Sequence, residues 1–116
     1  MDSNEWLELS ANPAEDERPV VVWHVFQGVM VVKAANLRKN RFNTYWMEVP
    51  DGWIDPNDRL PTREDADTQN CVIVRTTHGE VTVRGWHQVG QNGEIVQWMR
   101  PPKPPDNYRE LRMNAD

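Results

Sequence analysis

Apolar residues fall along this chain in short β-branched runs separated by turn residues. Val20–Val25 and Cys71–Thr76 are such runs, each bounded by turn formers, which predicts strands. Phe26-Gln27-Gly28 and Thr77-His78-Gly79-Glu80 supply Gly-containing turns of hairpin length. A second strand is expected over Val29–Lys33 and over Val81–Trp86. In Glu80-Val81-Thr82-Val83-Arg84 apolar and polar residues alternate, implying one core face and one wet face. Val29-Met30-Val31-Val32 is apolar throughout, as for a hairpin covered on both faces. Gln91-Asn92-Gly93-Glu94 reads as a turn into a third strand, Ile95–Met99, mirrored by Thr44–Met47. Asn36–Asn43 is a polar loop or short helical turn. Met99–Pro105 (MRPPKPP) cannot continue a sheet interior and is expected as polyproline II along the surface.

The two halves carry the same pattern. Val20–Lys33 aligns with Cys71–Arg84 at an offset of 51, which places Gly28 on Gly79 and His24 on Arg75. Flanking landmarks need small changes in offset: 47 for Trp6 to Trp53, 48 for Pro13 to Pro61, and 52 for Trp46 to Trp98. The fold expected is therefore mainly β: two tandem three-stranded antiparallel meander units packed with pseudo-two-fold symmetry. Residues 1–50 form a degenerate first unit, 51–105 the second, and 106–116 a tail able to make a short helical turn.

Composition narrows the class. The chain has 116 residues, 13 Lys and Arg, 18 Asp and Glu and a net charge of −5. A unit of half this length is marginal alone, so the two are expected to share a core. An acidic chain is poorly suited to phosphate neutralisation, so direct nucleic-acid binding is not favoured. One cysteine excludes an internal disulfide and fits a reducing compartment. The acidic start Met1–Glu5 has neither the basic nor the apolar region of a signal peptide, and no run reaches membrane-spanning length. The expected location is cytoplasmic, with no membrane.

The second half has a more specific pattern: Gly52-Trp53-Ile54-x4-Arg59-Leu60-Pro61 near its start and Gln97-Trp98-Met99-x-Pro101-Pro102-x-Pro104-Pro105 at its end. Residues 52–105 thereby resemble a family of short phage and prophage domains of unknown function, the five-fifty-one family. Its members typically read W-I-x4-R-L-P and H-W-M-P-L-P-x-P-P. Gln97 and Arg100 depart from that pattern, and the first half keeps Trp6, Pro13, Trp46, Met47 and Pro50 without the Arg-Leu-Pro. The resemblance implies origin in a bacteriophage or mobile element, within a host bacterial cell. It implies no activity.

Catalytic chemistry has little foothold. His24, His78 and His87 sit in no metal-ligand spacing, and a single Cys makes no thiolate zinc site. Cys71, aligned with Val20, takes the place of a small core residue. No cofactor, metal or catalytic residue is assigned, and the chain is read as a non-enzyme.

Partner contact has better candidates. Glu15, Asp16 and Glu17 follow Pro13, and Glu64, Asp65 and Asp67 follow Pro61, so acidic clusters recur in both copies. Such an array is suited to imitate spaced phosphates in the basic groove of a nucleic-acid-binding protein; the plainer alternative is a pair of solvated loops. Trp6, Trp53, Trp46 and Trp98 recur and are expected in the core, whereas Trp23 and Trp86 have no counterpart and are candidate anchors for a partner. Lys33, Arg38, Lys39 and Arg41 form the basic cluster, a solvated loop or a contact for an acidic partner or nucleic acid. The expected function is a non-catalytic protein-binding module that inhibits a host defence or nucleic-acid-processing complex, in the manner of an anti-CRISPR protein. The alternative is a structural module of phage that assembles with itself, as a homodimer for example.

Overall fold

The computed structural model describes residues 6–9, 16–91 and 93–114. Glu5, Pro13, Glu15 and Asn92 lie outside the described residues. The protein is mainly β, with strands β1 (Leu7–Glu8), β2 (Pro19–His24), β3 (Gly28–Lys33), β4 (Asn43–Glu48), β5 (Cys71–Thr76), β6 (Val81–Gly85) and β7 (Ile95–Met99). An α-helix, α1, spans Tyr108–Met113, as expected for the tail. Among the described residues, 3₁₀ turns occupy Ala34–Lys39, Arg63–Asp65 and Trp86–Gln88. The chain divides into two compact units, residues 1–49 with 102–116, and residues 50–101. The tail thus belongs with the first unit.

In the first unit the antiparallel sheet has the order β1-β4-β2-β3. The sheet is not a meander. β3 returns beside β2 as a hairpin, but β4 pairs with the opposite edge of β2, from Val20 with Glu48 to Trp23 with Tyr45. The connection 34–42 is too long for a hairpin and is apolar on its inner side. Its Ala34 and Leu37 are buried with Val20, Val22 and Trp46, so it crosses one face of the sheet and seals it. Burial of each large aliphatic or aromatic side chain there contributes about 1.5–3 kcal/mol.

The second unit repeats this plan. Its order is β6-β5-β7, with β7 again on the far side of the central strand. Val72, Val74, Val89, Ile95 and Trp98 form its core, and the crossing segment Trp86–Val89 does what Ala34–Leu37 does in the first unit. Val20 pairs with Val32 as Val72 pairs with Arg84, and Val22 pairs with Trp46 as Val74 pairs with Trp98. The central strand breaks register between Trp23 and His24, and again between Arg75 and Thr76. Every one of these equivalences is an offset of 52.

The alignment at 51 is therefore corrected by one residue within the strands. A slip of one exchanges the faces of a strand. His24 matches Thr76, not Arg75; Trp23 matches Arg75; and Val20 matches Val72, leaving Cys71 to match Pro19 at the strand's start. The glycines misled the register. Gly28 lies opposite His24, whereas Gly79 is inside its turn, and both hold positive φ, 78° and 82°. The landmark offset of 47 does hold at the N-terminal side: Leu7 pairs with Trp46, and Ile54 bridges Trp98.

The central strand of each sheet is buried on both faces, since neighbours Val20 and Val21, like Val72 and Ile73, are all inaccessible. In the first unit the tail covers part of the second face. Trp6 and Tyr108 meet Trp23 edge-on at 6.3 and 5.9 Å. Trp6 Nε1 donates to the Lys103 carbonyl at 2.8 Å, and Asn107 Nδ2 to the Tyr45 hydroxyl at 3.3 Å. Docking of this kind holds a helix too short to persist alone. The Pro-rich stretch 101–105 is without helix or strand, and Pro105 at its end is buried.

Candidate interaction site

The recurrent tryptophans divide into two roles. Trp46 and Trp98 are core residues, as expected. Trp6 and Trp53 are only half-buried and instead lie over the equivalent outer positions of the central strands. Trp6 meets Trp23, while Trp53 lies beneath the Arg75 guanidinium, 4.4 Å from its ring centroid. Trp23 is 6 % exposed, which corrects its reading as a partner-facing anchor: the tail occupies its surface. Trp86 is half-buried against the second core and edge-on to His87, so it is only partly available.

The end motifs of the second half prove to be one packing unit. Ile54 exchanges backbone hydrogen bonds with Trp98, at 2.8 and 3.0 Å. Trp98 Nε1 donates to the Arg59 carbonyl at 2.9 Å, and the Arg59 guanidinium lies 4.9 Å from the centroid of the same ring. Arg59 also forks onto Asp65, whose side chain is 1 % exposed. Asp65 accepts further hydrogen bonds from the Thr62 backbone, the Thr62 hydroxyl and Arg100 Nε. The Arg59 guanidinium, then the Thr62 N–H and Arg100, hold its carboxyl far below the usual carboxylate range, against the opposing effect of burial.

Asp65 is consequently no contact element, and that expectation is corrected. Of the other acidic candidates, Asp16, Glu17 and Asp67 are also engaged. Asp67 closes a turn by accepting from the Gln69 and Cys71 backbones, at 2.9 and 3.1 Å; burial pushes its carboxyl up. Asp16 pairs with Arg18, which also forks onto Glu48, and Glu17 pairs with Lys33 at 3.2 Å. The Arg18 backbone N–H and guanidinium hold Asp16 below its ordinary range. Glu64 is exposed. The two acidic loops thus present different surfaces, one partly neutralised by Arg18 and Lys33, the other folded around a buried carboxylate.

His24 has a defined structural task. Its Nδ1 accepts from the Phe26 and Gln27 backbones at 3.2 and 3.1 Å, closing the β2–β3 turn. At the equivalent place Thr76 Oγ1 accepts from the His78 and Glu80 backbones. A ring nitrogen and a hydroxyl oxygen here do the same work. Burial pushes the His24 pKa down, which favours the neutral imidazole.

Beside this turn is a feature the sequence only hinted at. A groove of about 260 Å³ in the first unit is lined by Val25, Arg41, Phe42, Thr44, Leu111 and Asn114. Phe26 and Phe42 meet edge-to-face at 5.0 Å next to it. The Arg41 guanidinium lies 4.6 Å from the Phe42 centroid, and Arg112 lies 6.0 Å from that of Phe26. Among the described residues Arg41, Lys39 and Arg112 make no ion pair. The basic cluster was visible in the sequence. The aromatic and aliphatic walls were not, because Leu111 comes from the tail and joins Val25 and Phe42 only through tertiary packing.

Among the described residues no group of three or more His, Cys, Asp or Glu is placed to hold a metal ion. Nor, among them, is any helix long and apolar enough to cross a membrane. Burial and the neighbouring Asp67 push the Cys71 thiol up, away from the thiolate a nucleophile needs. No protein-family profile, curated protein or solved structure matches the chain.

Proposed function

We propose that this protein is a non-catalytic binding module of phage origin that acts by occupying a host protein, with a defence or nucleic-acid-processing complex as the target class. The observation that carries the binding reading is the groove of the first unit, where apolar walls open to solvent beside cations that make no ion pair among the described residues. Meanwhile the side chains best suited to chemistry serve the fold. His24 closes a turn, Asp65 ties Arg59 to Arg100, and Asp67 caps the entry to β5. The phage assignment rests on the end motifs of residues 52–105, and the host target on what small accessory proteins of that origin do.

The acidic loops carry less of this proposal than the groove. Phosphate mimicry needs several unpaired carboxylates at fixed spacing, and Asp16, Glu17, Asp65 and Asp67 all have partners within the chain. The test is capture from bacterial lysate on immobilised full-length protein, followed by reconstitution with the purified candidate. A stoichiometric complex on size exclusion is expected. A chain that only assembles with itself, or that turns over a substrate, overturns the reading.

A further inference from the structure

We infer that the groove of the first unit receives an acidic peptide segment, with one apolar side chain seated between Val25, Phe42 and Leu111 and its carboxylates paired with Arg41 and Arg112. The inference rests on the binding-module reading and adds the chemistry of the partner. Size is the first argument. At about 260 Å³ the groove lies below the ~300 Å³ at which drug-sized ligand sites begin, and it fits a single side chain.

Charge is the second. Among the described residues the lining includes Arg41 and no carboxylate, and Lys39 and Arg38 precede it in the same connection. Arg38 donates to the Leu9 carbonyl, and among the described residues it makes no ion pair. Arg41 lies over Phe42, so its guanidinium is held in place before any ligand arrives, which lowers the ordering cost of pairing it. A cluster of this sign in a chain of net charge −5 is a local exception, and it is complementary to acidic segments.

The aromatic geometry separates a peptide from a nucleic-acid strand. Single-strand binding relies on free aromatic faces on which bases stack. Here Phe26 and Phe42 use their edges and faces on each other, and Arg41 and Arg112 lie over them. The two rings are thus engaged with each other and with the guanidinium groups, and the groove beside them presents aliphatic walls flanked by cations.

The test uses the full chain, isotopically labelled, titrated with fluorescein-labelled peptides in which Glu or Asp alternates with Leu or Phe. A set with Lys in place of the acids, and a short oligothymidylate, serve as counter-probes. The acidic set should shift the amides of Val25, Arg41, Phe42, Thr44 and Leu111 and weaken with salt, while the Lys set leaves them unmoved. Arg41→Glu should weaken binding roughly tenfold or more, since it turns an attraction into a repulsion at an exposed position. Leu111→Ser should weaken it with the charges intact, and thermal unfolding would confirm that both variants stay folded. Absence of shifts at the groove, equal binding by both variants, or preference for the oligothymidylate would overturn the inference. A host protein captured equally well by Arg41→Glu would leave the binding-module reading standing and remove this one.

Discussion

Replacing Asp65 by Asn changes one buried atom pair and should loosen the second unit selectively. The carboxylate is 1 % exposed and accepts from Arg59, Arg100 and Thr62, so the charge is shared among three anchors. An amide keeps the shape and one acceptor, but it turns an N–H donor toward a guanidinium. Removing one partner of a fully buried ion pair costs about 3–5 kcal/mol. Here the arginines are 47 % and 65 % exposed, so they regain water when the charge is lost. We therefore expect about 2 kcal/mol, or roughly 30-fold in the open population. Amide exchange reads each unit separately: Val72 to Val74 should lose protection by that factor, while Val20 to Val22 stay unchanged. The carboxyl has a folded pKa far below its unfolded value, so its contribution is present above the unfolded value of about 3.9 and is lost as pH falls through it toward the folded one. The gap between Asp65→Asn and the natural protein should accordingly close in acid. Protection within threefold of the natural protein at neutral pH, or a gap that ignores pH, would refute the reasoning.

The same logic runs at higher pH for His24. Its folded pKa lies below the usual imidazole value, so the stability it contributes is present above an unfolded pKa of about 6.5 and is lost as pH falls below it. Urea titrations monitored at first-unit amides should show that slope, and His24→Asn, which keeps an acceptor for the Phe26 and Gln27 N–H groups, should flatten it. Trp98→Phe should destabilise its unit more than Trp46→Phe does, by about 1–2 kcal/mol, because Trp98 Nε1 donates to Arg59 whereas Trp46 Nε1 has no partner among the described residues. Denaturation midpoints of the two variants provide the comparison. Gly79→Ala should cost about 1–2 kcal/mol because φ is +82° there, although nothing obstructs the new methyl. Gly52→Ala, with open space and no positive φ, should be neutral or stabilising by up to about 1 kcal/mol, measured as a shift in melting temperature.

Local pattern alone determined a good deal. The β-branched runs and the weak helical tail lie within a residue or so of where the sequence placed them, because period, branching and turn chemistry act over a few residues, while the first Gly-containing turn shifts to residues 25–27. The recurrence of Trp46 and Trp98 as core residues was legible for the same reason, since each sits in an apolar run. Register was not. Val-Val-Val and Val-Ile-Val match each other at several offsets, and only pairing across strands fixed the value at 52. Nor was strand order: a polar-looking connection hid Leu37, whose burial carries the chain over the sheet and puts β4 beside β2.

The candidate site divides along the same line. The basic residues Arg38, Lys39 and Arg41 could be read from the chain, as could the acidic loops. Whether a charge is free depends on what the fold brings to it. Asp65 is satisfied by residues six and 35 positions away, while Arg41 meets no carboxylate at all among the described residues. Trp23 was a candidate anchor until a tail from the far end of the chain covered it. Sequence determined which residues have the capacity to bind, because that capacity is a property of the side chain. Tertiary structure decided which of them remain available, because burial and pairing are set by partners distant in the chain.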